Sequence, residues 1–128
     1  MKKVINQTIN VISILAMAFF AVPKLLAKPT SVAGFKQFEK AIHLNADIFM
    51  IFTGISELSI AILILYFAIT QKIKVGLFAY AFLFITMISA LSLEFFARPE
   101  PKMVLVIIAI VLTLFSVHQV VYLKKQVI

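Results

Sequence analysis

Apolar residues run almost unbroken over Val4–Val22, Ile48–Ile69, Val75–Leu93 and Met103–Leu123, with polar residues gathered between the runs. A hydrocarbon core about 30 Å thick takes roughly 20 apolar residues in a helical span. Each run approaches that length, which predicts spans at about 4–23, 47–70, 75–96 and 103–123. Backbone amides in lipid have no water to bond, so runs of this length must satisfy themselves as helices. The pattern therefore predicts an all-α fold: a four-helix transmembrane bundle forming one membrane domain over residues 1–128.

Two connections are tight, Gln71–Lys74 and Ala97–Lys102 with Pro99 and Pro101, and short links make neighbouring helices antiparallel. The third, Lys24–Ala46, is long enough to hold an element of its own. Pro29-Thr30-Ser31 resembles a turn and helix cap, after which Phe35, Phe38 and Ile42 recur at helical spacing. Lys36, Glu39, Lys40 and His43 take the opposite face, which predicts a short amphipathic helix lying in the membrane interface.

Composition sharpens this picture. Hydrophobic residues make up 63% of the 128-residue chain, and its mean hydropathy is +1.12. The +7 formal charge does not point to nucleic acid, because the Lys and Arg residues sit in termini and connections. Lys2, Lys3, Lys72, Lys74, Lys124 and Lys125 fall on one side, and Lys24, Lys28, Lys36, Lys40, Arg98 and Lys102 on the other. The cationic count is therefore equal on the two sides. Tyr66, Tyr80 and Tyr122 lie in the terminus-side leaflet, as interfacial anchors would, and both termini are expected in the cytoplasm. Lys2 and Lys3 before an apolar run suggest a signal peptide, but Asn6, Gln7, Thr8 and Asn10 shorten that run, so a retained first helix is expected. The chain contains no Cys, which excludes disulfides, iron–sulfur ligation and thiol oxidase chemistry in this chain.

The intramembrane polar residues carry the candidate chemistry. Glu57 falls about ten residues into the second span, roughly 15 Å deep at 1.5 Å per residue. The same depth reaches Ser13, Thr86 and Thr113 on the other spans. An ionised carboxylate alone at that level is costly, so Glu57 should face the bundle and be protonated or hydrogen-bonded. Thr53 and Gly54 one turn before it, and Ala61 one turn after, would let a second helix approach closely. Together, Glu57, Thr53, Gly54, Ser13, Thr86 and Thr113 form a candidate ligand or proton site; the alternative reading of Glu57 is a polar clasp between helices.

A second stripe on the first helix, Asn6, Asn10, Ser13, Met17, Phe20 and Lys24, carries Lys24 toward the long-loop surface. By depth Lys24 matches Glu94 better than Glu57, so Lys24, Glu94 and Arg98 are expected to form an interfacial polar cluster. The other reading has Lys24 and Arg98 snorkelling to headgroups. A Lys24–Glu57 contact would require the second span to begin well above Asp47 or to tilt strongly. His43 and His118 lie at opposite faces, which argues against a bis-histidine haem, and Glu57 and Glu94 differ in depth, which argues against a dinuclear metal site. His118 is expected to bond Tyr122, Asn6 or Asn10. No phosphate loop, nucleophile elbow or catalytic triad is present in the sequence, so no catalytic residue, metal or covalently bound cofactor is assigned.

The chain resembles the DoxX-like family of small four-helix membrane proteins. The likeness rests on Phe19-Phe20-Ala21-Val22-Pro23-Lys24-Leu25, a phenylalanine-bearing connection, and Gly54-Ile55-Ser56-Glu57-Leu58 with an aliphatic run through Leu65. His43-Leu44-Asn45 stands where such proteins often show Gly-x-Pro. The resemblance implies a link to membrane redox systems, in which activity comes through a membrane or peripheral oxidoreductase partner or a bound quinone. The expected function is thus an accessory, non-catalytic subunit of a quinone-linked system in a bacterial cytoplasmic membrane, with a polar pocket around Glu57. The alternatives are a small proton-coupled transporter using Glu57, with a homo-oligomer expected, and a scaffold that docks through the Lys24–Ala46 segment.

Overall fold

The computed structural model describes residues 2–26, 28–96 and 103–127. Among them the chain forms five helices: α1 (Lys2–Leu25), α2 (Pro29–Ile42), α3 (Ala46–Thr70), α4 (Ile73–Phe96) and α5 (Met103–Val127). All but α2 are long and apolar enough to cross a membrane, which marks an integral membrane protein. The Pro99 and Pro101 connection lies outside the described residues.

α1 packs along α3 and α4 packs along α5, while the α3–α4 contact joins the two pairs. Each long helix turns one stripe inward. On α1 the stripe is Ile9, Ser13, Met17 and Phe20; on α3 it is Glu57, Ile60, Ile64 and Phe67. Tyr80, Leu83 and Met87 continue it on α4, and Ala109, Leu112 and Leu123 on α5. The outward residues, Phe19, Phe52, Ile62, Ile85 and Leu114 among them, are large, apolar and exposed, as acyl-chain contacts require.

The turn between α3 and α4 is closed by Gln71 in the left-handed region (φ 58°), whose N–H donates to Phe67 O at 2.7 Å. Its side chain adds a bond to Ala68 O at 2.8 Å, which helps hold a conformation that a non-glycine residue adopts at a cost. Beyond it, Gly76 sits against Phe67 and Leu123. A methyl group there would come within 2.6 Å of the Phe67 ring and 2.8 Å of Leu123.

The long connection does form a helix, though the Thr-Ser cap expected from the sequence is not its start. α2 begins at Pro29, with Lys28 as an N-cap residue that makes no side-chain capping bond. Its apolar face is taken up by protein. Phe35 and Phe38 are buried with Ala46 and Met50, and Phe49 and Leu93 pack against the group. The Phe35 ring meets Phe38 and Phe49 edge-on at 5.2 and 5.3 Å. The interfacial position expected for this helix is therefore not needed to bury its phenylalanines. Only Ile42 of the predicted face is left exposed. Asn45 then caps α3 by accepting from Ile48 N at 3.0 Å, and Glu39 reaches across from α2 to accept from Ala46 N at 2.9 Å. His43 ends α2 in the left-handed region at φ 61°.

Replacing Gly76 with Val should drive Phe67 off its edge-on contact with Tyr80 and lower stability by about 1–3 kcal/mol. A fall in thermal midpoint in detergent, followed by circular dichroism, is the check.

Candidate functional site

Glu57 is buried and ion-paired. Lys24 Nζ lies 2.8 Å from Glu57 Oε1, with the two side chains 17% and 4% exposed. At that separation the ammonium and the carboxylate attract as opposite charges in a medium of low dielectric. Nζ also donates to the Phe20 carbonyl at 3.1 Å and stands 5.4 Å from the centre of the Phe20 ring. Lys24 therefore pairs with Glu57, the contact that a count of depth from the sequence disfavoured. Glu94 is buried near the end of α4, and Arg98 lies outside the described residues.

Helix stagger accounts for the difference. A Cβ on Gly54 would touch Leu25 Cδ2 at 3.0 Å and Lys24 Cβ at 3.1 Å, so the last turn of α1 lies on Gly54. Gly54 is eight residues past Ala46, so α1 ends about 12 Å along α3 from its start. Depth counted from level helix ends placed Lys24 too near the surface. Side-chain direction does the rest. Cα–Cβ bonds tilt toward a helix's own N-terminus, which aims Lys24 down into the bundle and Glu57 up toward it. Gly54 lets the two backbones close to the distance at which these chains meet.

The other residues assigned to Glu57's level divide. Phe67, Gly76 and Leu123 share one crossing. Ten residues from it along each helix stand Glu57, Thr86 and Thr113, each about 15 Å on by helical rise. Thr113 Oγ1 donates to its own helix at Ala109 O (2.7 Å), and Thr53 Oγ1 does the same at Phe49 O (2.8 Å). Thr86 is half-buried. Ser13 belongs elsewhere, beside Tyr80 and Gln119.

That second group was not visible as a site in the sequence. The Tyr80 hydroxyl donates to Asn10 Oδ1 through a short hydrogen bond. Asn10 Nδ2 in turn donates to Gln7 Oε1 at 2.9 Å, and Gln7 Nε2 donates to Ala68 O at 3.1 Å. On the far side, Gln119 Oε1 lies 3.3 Å from His118 Nδ1, whose ring stacks parallel to Tyr122. Asn10, Ser13, Tyr80, Ser116 and Gln119 are all at most 1% exposed. Tyr80 is thus a buried member of a polar chain across the bundle and not an interfacial anchor. The signal was present: Gly76, Tyr80, Leu83 and Met87 recur at helical spacing, as do Leu112, Ser116, Gln119 and Leu123.

Among the described residues, no three His, Asp or Glu side chains gather as metal ligands. No family model, curated protein or solved structure matches the chain.

Two outcomes follow from this geometry. Lys24→Met strands the carboxylate at depth and should cost about 3–5 kcal/mol, whereas Glu57→Gln should cost less because a freed Lys24 can extend to the surface. The Lys24→Met/Glu57→Leu pair should recover most of the loss, measured as a double-mutant cycle of unfolding in bicelles. Tyr80→Phe should cost about 0.5–2 kcal/mol in the same assay, with Tyr66→Phe near silent.

Proposed function

We propose that the chain is a DoxX-like accessory subunit of a membrane redox system, in which the Lys24–Glu57 pair holds the head of a quinone or lipid-like molecule. The observation that carries this reading is the ion pair itself, set 2.8 Å apart inside the bundle with only Lys24 partly open. Ion pairs at membrane depth are costly and mark functional positions by default. A lysine that can release its carboxylate and donate to a carbonyl oxygen is suited to an uncharged, oxygen-bearing head. The chain has no Cys to ligate an iron–sulfur cluster, and in this reading electrons would pass through an oxidoreductase partner. In this reading the protein sits in a bacterial cytoplasmic membrane with both termini in the cytoplasm, and α2 lies at the opposite surface. Its exposed Lys36, Gln37 and Lys40 would then face a peripheral partner.

A proton-coupled transporter is the second reading, favoured by the same pair. Either Lys24 or a proton can neutralise Glu57, and alternation between the two is what coupling needs.

Purification in mild detergent should bring down a quinone or an oxidoreductase, and Glu57→Gln should reduce the quinone retained per chain at least several-fold. A homogeneous oligomer carrying neither would overturn the redox reading. Proton release driven by a substrate, and abolished in Glu57→Gln, would favour the transporter.

A further inference from the structure

One end of the bundle is cationic without any acid to offset it. A Cβ on Gly76 would stand 2.8 Å from Leu123 Cδ1, so the start of α4 lies beside the end of α5. Lys72 and Lys74 stand just outside that crossing on the α4 side, and Lys124 and Lys125 just outside it on α5. α3 ends here and α1 starts here, joined by Gln7 Nε2 donating to Ala68 O at 3.1 Å. The four lysines are exposed, and among the described residues none meets a carboxylate. The Asp and Glu residues of the chain are Glu39, Asp47, Glu57, Glu94 and Glu100, all away from this end. Glu57 comes nearest, yet it lies about 20 Å short of the end of α3 by helical rise and is paired with Lys24. The α2 end differs, because Glu39 and Asp47 there are interspersed with Lys36 and Lys40.

Tyr66 adds a directed donor to this rim. Lys72 Nζ donates to the Tyr66 hydroxyl oxygen at 3.1 Å and lies 5.6 Å from the centre of its ring. The oxygen accepts from the ammonium, so the phenol proton remains to donate outward from a side chain 44% exposed. We propose that Tyr66, Lys72, Lys74, Lys124 and Lys125 form a binding site for the phosphate of anionic phospholipids. The lysines stand at or beside the ends of apolar spans, which sets their ammonium groups at headgroup level. A phosphodiester head without a cation is preferred, because no Asp or Glu at this end can receive the ammonium of a zwitterionic lipid. Lipid is the occupant, and not a soluble acidic partner, because lipid phosphates surround these helix ends at high local density. The site is independent of the Lys24–Glu57 reading.

Native mass spectrometry of the full chain, released from micelles holding equal phosphatidylglycerol and phosphatidylcholine, provides the test. The wild type should retain phosphatidylglycerol in several-fold excess, and raising the salt should lower that excess. Replacing all four lysines with glutamine should bring the two lipids to near parity, at about fivefold per lysine until the preference is gone. Tyr66→Phe should cut the excess about threefold by removing one donor. Lys36→Gln/Lys40→Gln should keep it. Equal retention of the two lipids by the wild type overturns the site. So does an undiminished excess in the quadruple variant, or loss of the excess in the Lys36→Gln/Lys40→Gln pair. Displacement of the lipid by millimolar inorganic phosphate also overturns it, since the rim would then serve a free anion. If the quadruple variant fails to fold, Lys72→Gln/Lys74→Gln and Lys124→Gln/Lys125→Gln take its place, each expected to lower the excess.

Discussion

A charge inside an apolar bundle persists only beside its counter-charge, and the Lys24–Glu57 contact meets that requirement for this protein. The contact needs α1 to end part-way along α3, and it needs a glycine, Gly54, where the helices close. The stagger leaves the first turns of α3 without α1 beside them. α2 packs there, with Phe35 and Phe38 buried on Ala46 and Met50, while Glu39 and Asn45 satisfy the amides at the start of α3. The position of the connecting helix is thus a consequence of where the ion pair forms.

The interior is layered along the helices. On α1, reading toward the long connection, Asn10 and Ser13 give way to Met17 and Phe20, and then to Lys24. α3 runs the other way, with Glu57 followed by Ile60, Ile64 and Phe67. A charged layer and an uncharged polar layer are therefore separated by an apolar one that includes Met17, Ile60 and Leu83, all 0% exposed. Such a barrier blocks a continuous chain of hydrogen bonds between the two. They are separate polar layers, and the hydrogen-bond chain through Tyr80 ties α1, α3 and α4 together.

Much of this was open to reading from residue order. The four spans, the tight turn at Gln71, a helix in the long connection and the burial of Glu57 follow from run length, spacing and the cost of charge in lipid. These depend on each segment and its solvent, and on nothing further away in the chain. The polar stripe of α1 was equally plain, yet its partners were not. Tyr80 could stand at an interface or in a core, because its ring suits both and its hydroxyl needs only one acceptor.

Partner choice was left to the tertiary structure. Lys24 is bonded to Glu57 because of a helix stagger of about 12 Å and two oppositely tilted side chains. Neither appears in a count of residues from a membrane surface. Ser13 joins Tyr80 and Gln119, not Glu57, for the same kind of reason: register between helices is set by packing at points such as Gly54 and Gly76. The sequence by itself determined which residues lie within the membrane and which of them must find partners there. Only the packed bundle decided which partners those are, because a one-turn slide between helices costs little in span length but exchanges every contact across the interface.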